Sequence, residues 1–255
     1  MLRLTKKILF LLSLPLFFSY STNAQELTAR EVVAKADEKY KGELSSEGVM
    51  TMTIVRPSWT REMTMKSWSE GDDLALILVT APARDKGTAF LKREKEIWNW
   101  QPTIDRVIKL PPSMMMQSWM GSDFTNDDLV KQSSIVDDYE HSFVGEDTIE
   151  GRECWQIEMI PNEDAAVVWG KVMSWIDKQD YMQLKAEFYD EDDYLVNTMY
   201  GKDIKEMGGK ILPALLEVIP ADEDGHKTIV EYKELKFNVS YNKNFFSVQN
   251  MKRIR

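Results

Sequence analysis

The chain has 255 residues, a formal net charge of −10 and a hydrophobic fraction of 43 %. An acidic chain of this kind is repelled by polyanions, which excludes nucleic acid as a partner and limits any membrane contact to a transient one. Its one cysteine, Cys154, excludes an intrachain disulfide, and its length falls within the range of one all-β domain.

Residues 1–24 have the makeup of a cleaved export signal. Arg3, Lys6 and Lys7 precede the apolar run Ile8 to Phe18, and Thr22-Asn23-Ala24 offers a small-residue cleavage site before Gln25. The run is shorter than the roughly 20 apolar residues that span a bilayer. No cysteine stands at the cleavage site, so no lipid anchor is expected. The expected product is a periplasmic protein with one domain over residues 25–255. Its 231 residues carry a net charge of −13, because the leader removes three positive charges.

One helix opens that domain. Thr28 and Glu31 have the spacing of a capping box, and Leu27 with Val32 fits the hydrophobic staple. Val32, Val33, Ala36 and Tyr40 share a face, and Gly42 is a suitable stop. Alternation takes over from Val49 to Ile54 and from Met63 to Lys66, predicting a hairpin with Met50, Met52, Met63 and Met65 on one side. Strands are predicted at Leu74 to Val79, Thr88 to Lys92, Glu96 to Trp100 and Arg106 to Leu110. They resume at Ser134 to Val144, Glu153 to Ile160, Lys171 to Ile176, Met182 to Tyr189, Leu195 to Lys205, Leu212 to Ile219 and Lys227 to Phe237. Gly- and Asp-rich turns separate most of them, Gly145 among these.

Between Pro111-Pro112 and Lys131 the pattern breaks. The segment from Ser113 is rich in methionine, and Thr125 is placed to cap a short helix with Asp127 and Asp128 in its first turn. The fold class is mainly β with helices: a curved antiparallel half-barrel wrapping the N-terminal helix, with a short helical lid. A two-sheet sandwich is the alternative.

Chemistry-bearing constellations are sparse. His141 and His226 lack metal-ligand partners at useful spacing, and no G-x-S-x-G, P-loop or dinucleotide fingerprint occurs. Asp123, Asp127 and Asp128 offer oxygens to calcium but not the D-x-D-x-D-G spacing of a binding loop. Cys154 sits in a strand-like setting that fits a core thiol. Neither an enzyme nor a metal or other cofactor is expected.

The apolar residues are more informative. Trp98 and Trp100 share a strand face, and Trp68 lies on a neighbouring strand to the methionine set. Met115, Met116 and Trp119 fall in the irregular segment, where flexible methionine suits either a packed loop or an adaptable lid. These ten residues, Met50, Met52, Met63, Met65, Trp68, Trp98, Trp100, Met115, Met116 and Trp119, are the candidate lining of an apolar cavity. Helix and lid would cover it. Arg84, Lys86 and Arg106 belong to a basic cluster in the acidic chain, suited to an acidic partner or a lipid headgroup or to an ordinary solvated edge.

Four motifs carry a family resemblance. Pro82-Ala83-Arg84-Asp85-Lys86-Gly87 leading into Thr88 to Leu91, and Trp98-Asn99-Trp100-Gln101-Pro102 with Arg106-Val107, are two. Gly121-Ser122-Asp123-Phe124-Thr125 with Asp128-Leu129, and Trp175-Ile176-Asp177, are the others. In this order they resemble the outer-membrane lipoprotein-sorting proteins of the LolA-like superfamily, and the chain is similar to an uncharacterised branch often found beside membrane transporters. The resemblance implies a half-open antiparallel barrel with helical lids and a cavity for acyl chains. It implies a non-covalent periplasmic carrier or receptor for a lipid or lipid-modified protein, with an inner-membrane transporter as its expected partner. The alternative is an interaction module serving a membrane exporter, its core filled by its own side chains.

Overall fold

The computed structural model describes residues 27–41, 44–130, 134–165 and 167–254. The export signal over 1–24, its cleavage site and Gly42 lie outside them, as do the side chains of Tyr40, Leu129 and Val130. Among the described residues no helix is long and apolar enough to cross a membrane.

The period-two alternation folds into one antiparallel sheet of thirteen strands. Helix α1 (Ala29–Lys41) is followed by β1 (Ser45–Arg56), β2 (Trp59–Glu70), β3 (Leu74–Ala81), β4 (Ala89–Arg93), β5 (Glu96–Gln101) and β6 (Arg106–Leu110). After a long connection containing α2 (Asn126–Val130) come β7 (Tyr139–Ile149), β8 (Arg152–Pro161), β9 (Lys171–Asp177) and β10 (Gln183–Tyr189). β11 (Leu195–Met207), β12 (Lys210–Pro220), β13 (Lys227–Phe237) and the short α3 (Val248–Met251) complete the chain.

The spatial order is β6-β5-β4-β3-β2-β1-β13-β12-β11-β10-β9-β8-β7. The chain thus begins mid-sheet, walks outward to the β6 edge, jumps to the β7 edge and walks back, where β13 pairs with β1. The sheet stays open, and residues 111–130 and 134–138, from the connection between its two edges, are called the strap.

Register sorts the side chains onto two faces. Met50 lies opposite Met65 and Met52 opposite Met63, and the same face continues through Val79, Ile77 and Phe90. The other face takes Trp68 opposite Leu76, Leu91 opposite Trp98 and Ala89 opposite Trp100. We call the methionine face the inner face, because it also carries α1 and the strap.

α1 starts as its sequence predicts. Thr28 N–H donates to Glu31 Oε2 at 2.8 Å and Glu31 N–H donates to Thr28 Oγ1 at 3.3 Å, closing the capping box. Its apolar stripe, Ala29, Val32, Val33 and Ala36, is buried against Tyr139, Ile157, Met159, Val172 and Ile176. That places α1 over the β7–β9 side of the inner face. It does not cover the methionine strands, contrary to the expectation from sequence; among the described residues the strap does.

Two further differences have simple causes. The strand expected at 134–144 lies at 139–149, because Ser134 N–H donates to Asp138 Oδ2 at 2.7 Å and the Ser134–Asp138 stretch closes into a turn. Gly145, expected as a turn, pairs with Gln156 inside β7, directly after a bulge at Val144. Cys154 is buried beside Trp175, Met182 and Leu184, and burial pushes its thiol pKa up to about 11. It is a core residue.

Candidate functional site

The inner face of β1–β4 is an apolar bed built by alternation. Met50, Met52, Ile54, Met63, Met65, Ile77, Val79 and Phe90 are all buried there. The strap lays Trp119 on this bed, 3 % exposed, with its ring edge-on to Phe90 at 5.5 Å. Met120 and Phe124 pack beside it. Two buried polar atoms in this region have no protein partner, Trp119 Nε1 and Asn99 Oδ1. Asn99 pairs in register with Phe90, the residue that Trp119 abuts.

Five of the predicted lining residues therefore meet in one cluster: Met50, Met52, Met63, Met65 and Trp119. Met115 is buried nearby on the same face, against Ile97 and Leu110, while Met116 is 58 % exposed. Trp68, Trp98 and Trp100 do not join them. Their strand parity turns them to the outer face, where they pack with Tyr241, Phe245, Phe246 and Met251 of the C-terminal segment. The aromatics of that segment follow no regular period, so the sequence carries no local signal for it.

Each residue of the Gly-Ser-Asp-Phe-Thr motif has a geometric task in seating the strap. Met120 and Gly121 both have positive φ, 54° and 81°, giving a sharp reversal that glycine adopts without steric cost. Ser122 Oγ donates to Trp119 O at 2.7 Å and accepts from Phe124 N–H at 3.2 Å. Phe124 enters the apolar bed. Thr125 and Asp128 form a second capping box, with Thr125 N–H to Asp128 Oδ2 at 2.8 Å and Asp128 N–H to Thr125 Oγ1 at 3.1 Å.

Asp123 is the latch. Arg56, at the end of β1, donates to both its carboxylate oxygens at 2.9 and 3.0 Å, a bidentate pair with side chains only 11 % and 7 % exposed. Thr228 Oγ1 adds a donor at 2.7 Å and itself accepts from Asp123 N–H at 3.0 Å. Arg56 also donates to Gly121 O at 3.0 Å, and Arg61 to Met120 O at 3.3 Å. The sequence offers Asp123 as one member of an acidic trio and as part of the Gly-Ser-Asp-Phe-Thr motif. Nothing in the local pattern pointed to Arg56, 67 positions earlier.

Among the described residues the one group with metal-ligand chemistry is Asp123, Glu223 and His226, whose ligand atoms lie within 4.8 Å of one another. The Arg56 guanidinium already occupies both Asp123 oxygens and supplies the positive charge a cation would bring. The group does not fit a metal centre. Asp128 serves the Thr125 cap, so the acidic trio of the sequence does not converge either.

The docking candidates Arg84, Lys86 and Arg106 come to one end of the sheet, on the β3–β4 loop and the start of β6. The clefts lie at the other end. One of about 540 Å³ is lined by residues including Leu44, Glu70, Asp73 and Tyr241, and one of about 260 Å³ by Lys95, Lys109, Pro112 and Met115.

Comparison with known proteins agrees with this architecture. A crystal structure of a DUF1329 family protein from Desulfovibrio piger superposes with a TM-score of 0.79 at 22 % identity, covering 88 % of this chain and 97 % of that one. An outer membrane lipoprotein-sorting protein domain from Vibrio parahaemolyticus gives 0.77 at 24 % identity, covering 88 % and 98 %. A LolA superfamily protein from Nitrosomonas europaea gives 0.74 at 20 % identity, covering 88 % and 99 %. No curated protein sequence matches significantly. A family model described as an uncharacterized protein matches residues 71–253, which hold the strap, its latch and all strands from β3 onward. The chain belongs to that family, an uncharacterised branch with the LolA-superfamily fold.

Proposed function

We propose that the protein is a periplasmic, non-covalent carrier or receptor for a lipid or lipid-modified protein, and that acyl chains enter between the strap and the methionine bed. The observation that carries this reading is the composition of that interface. Four bed methionines together with Met115 and Met120 supply unbranched side chains that repack around guests of different shape. Trp119 Nε1 and Asn99 Oδ1 supply an unpaired donor and acceptor beside them, where the polar end of a guest finds hydrogen bonds the protein does not make itself.

The density of the bed favours a second reading, an accessory module of a membrane exporter. Met52, Met63 and Met65 are fully buried and Trp119 nearly so, as in a core filled by its own side chains. One experiment separates the two. Lipid is extracted from the purified protein and identified by mass spectrometry, and a long-chain lipid is titrated against tryptophan fluorescence and thermal stability. A carrier yields bound lipid and a ligand-dependent rise in melting temperature. A self-filled module yields neither.

A further inference from the structure

We infer that the end of the sheet carrying the β1–β2, β3–β4 and β5–β6 turns is a docking surface for an anionic phospholipid bilayer. This goes beyond the carrier reading and does not rest on it. Because consecutive strands are antiparallel, these three turns emerge at the same end. Contacts hold them together there. Arg61 pairs with Asp85 at 2.9 Å, and a Cβ on Gly87 would stand 3.3 Å from the Pro102 ring.

Two large apolar side chains project at these three turns, Trp59 at 47 % exposure and Ile104 at 58 %. Indole favours the headgroup level of a bilayer, where its ring is half solvated. Arg84, Lys86 and Arg106 are exposed on the same turns, and among the described residues Lys86 and Arg106 have no ion-pair partner. The other cations flanking these three turns, Arg56 and Arg61, are engaged by Asp123 and Asp85.

The charge contrast selects the occupant. The chain is acidic overall, and the turns at the other side of the same end are strongly so, at Asp190 to Asp193 and Asp222 to Asp224. An anionic bilayer therefore repels most of the molecule and attracts this corner, which fixes a single orientation. Apolar tips on separate turns, flanked by cations, suit a planar, deformable surface. A folded protein partner needs a continuous complementary patch, burying roughly 1,000 Å² or more summed over both surfaces.

The test is vesicle flotation with protein purified from the soluble fraction. Vesicles of phosphatidylcholine with phosphatidylglycerol are compared with pure phosphatidylcholine, at low and high salt. The expected result is flotation with the anionic vesicles only, released by salt. Arg84→Glu with Lys86→Glu should lower partitioning at least tenfold, given about fivefold per cation removed. Trp59→Ser with Ile104→Ser should also abolish it, while Arg93→Glu, at the opposite end, leaves it unchanged. Each variant is checked for native melting temperature. Stabilisation by a soluble monoacyl lipid is measured in parallel, so failure of the docking surface and failure of the carrier reading are seen separately. Absence of flotation, equal binding to neutral vesicles, undiminished binding by the turn variants, or equal loss in Arg93→Glu overturns the proposal.

Discussion

Asp123→Ala is the most direct test of how the strap is held. The substitution deletes two charge-assisted hydrogen bonds from Arg56, at 2.9 and 3.0 Å, and one from Thr228 at 2.7 Å. It leaves a guanidinium that is 11 % exposed without its counter-charge. Breaking a buried pair from one side costs about 3–5 kcal/mol. Arg56 keeps acceptors at Val55 O and Gly121 O, so a value near 3 kcal/mol is expected. Where that cost appears depends on how firmly the strap is otherwise seated. A strap weaker than the penalty lifts locally, Arg56 rehydrates, and global stability falls by less. Two measurements are therefore paired: denaturant unfolding for global stability, and hydrogen exchange at the strap amides. The relevant reporters are Trp119 N–H, bonded to Phe124 O, and Asn126 N–H, bonded to Gln117 O. A double-mutant cycle with Arg56→Ala should give a coupling of about 2–3 kcal/mol in whichever quantity moves. A loss below about 1 kcal/mol in both, with coupling near zero, would refute the latch.

Further outcomes follow from burial and charge. Met115→Asp should destabilise by several kcal/mol, whereas exposed Met116→Asp should stay within about 0.5 kcal/mol, as urea titration would show. Trp119→Ala should cost about 3–5 kcal/mol and quench most strap protection, because the ring is the strap's main anchor on the bed. Burial acts to raise the pKa of Glu217, but hydrogen bonds from Lys202 at 2.5 Å and Lys227 at 2.9 Å overcome it and hold the group below its ordinary value. Its contribution is thus present above the unfolded carboxylate range and lost as pH falls below it; acid titration of stability should be shallower in Glu217→Gln. A chelator should leave the melting temperature unchanged, since Arg56 already neutralises Asp123; a drop of several degrees would revive the group with Glu223 and His226.

The sheet was legible because alternation is a local signal. Strand positions, the face shared by Met50, Met52, Met63 and Met65, the capping box at Thr28 and the helix cap at Thr125 all depend on spacings of two to four residues. What escaped prediction depends on pairings far apart in sequence. That Trp68, Trp98 and Trp100 turn away from the methionines follows from the registers of β2 to β5, in which Trp68 meets Leu76 while Met65 meets Val79. Parity within one strand says which residues agree, not which face of the sheet they take. The Arg56–Asp123 pair was invisible for the same reason. The basic cluster was half legible. Its chemistry could be read, but only the topology divides Arg84, Lys86 and Arg106 at one end from Arg93 and Lys95 at the other.

The strap has no free end. It leaves the sheet at β6 and rejoins it at β7, the two strands with an unpaired side. Every other connection joins strands that are hydrogen-bonded neighbours, so no ladder needs the strap to close it. It is a tether drawn across the mouth of an open ribbon, and its slack is stored in the turns on either side of Asp123. Such a tether cannot swing like a hinged flap. It lifts only by paying out that slack or by letting the ribbon's two margins approach, so strap opening and sheet curvature become one mechanical coordinate. Cutting the chain between Pro111 and Asp138 would uncouple them, and all thirteen strands would keep their partners.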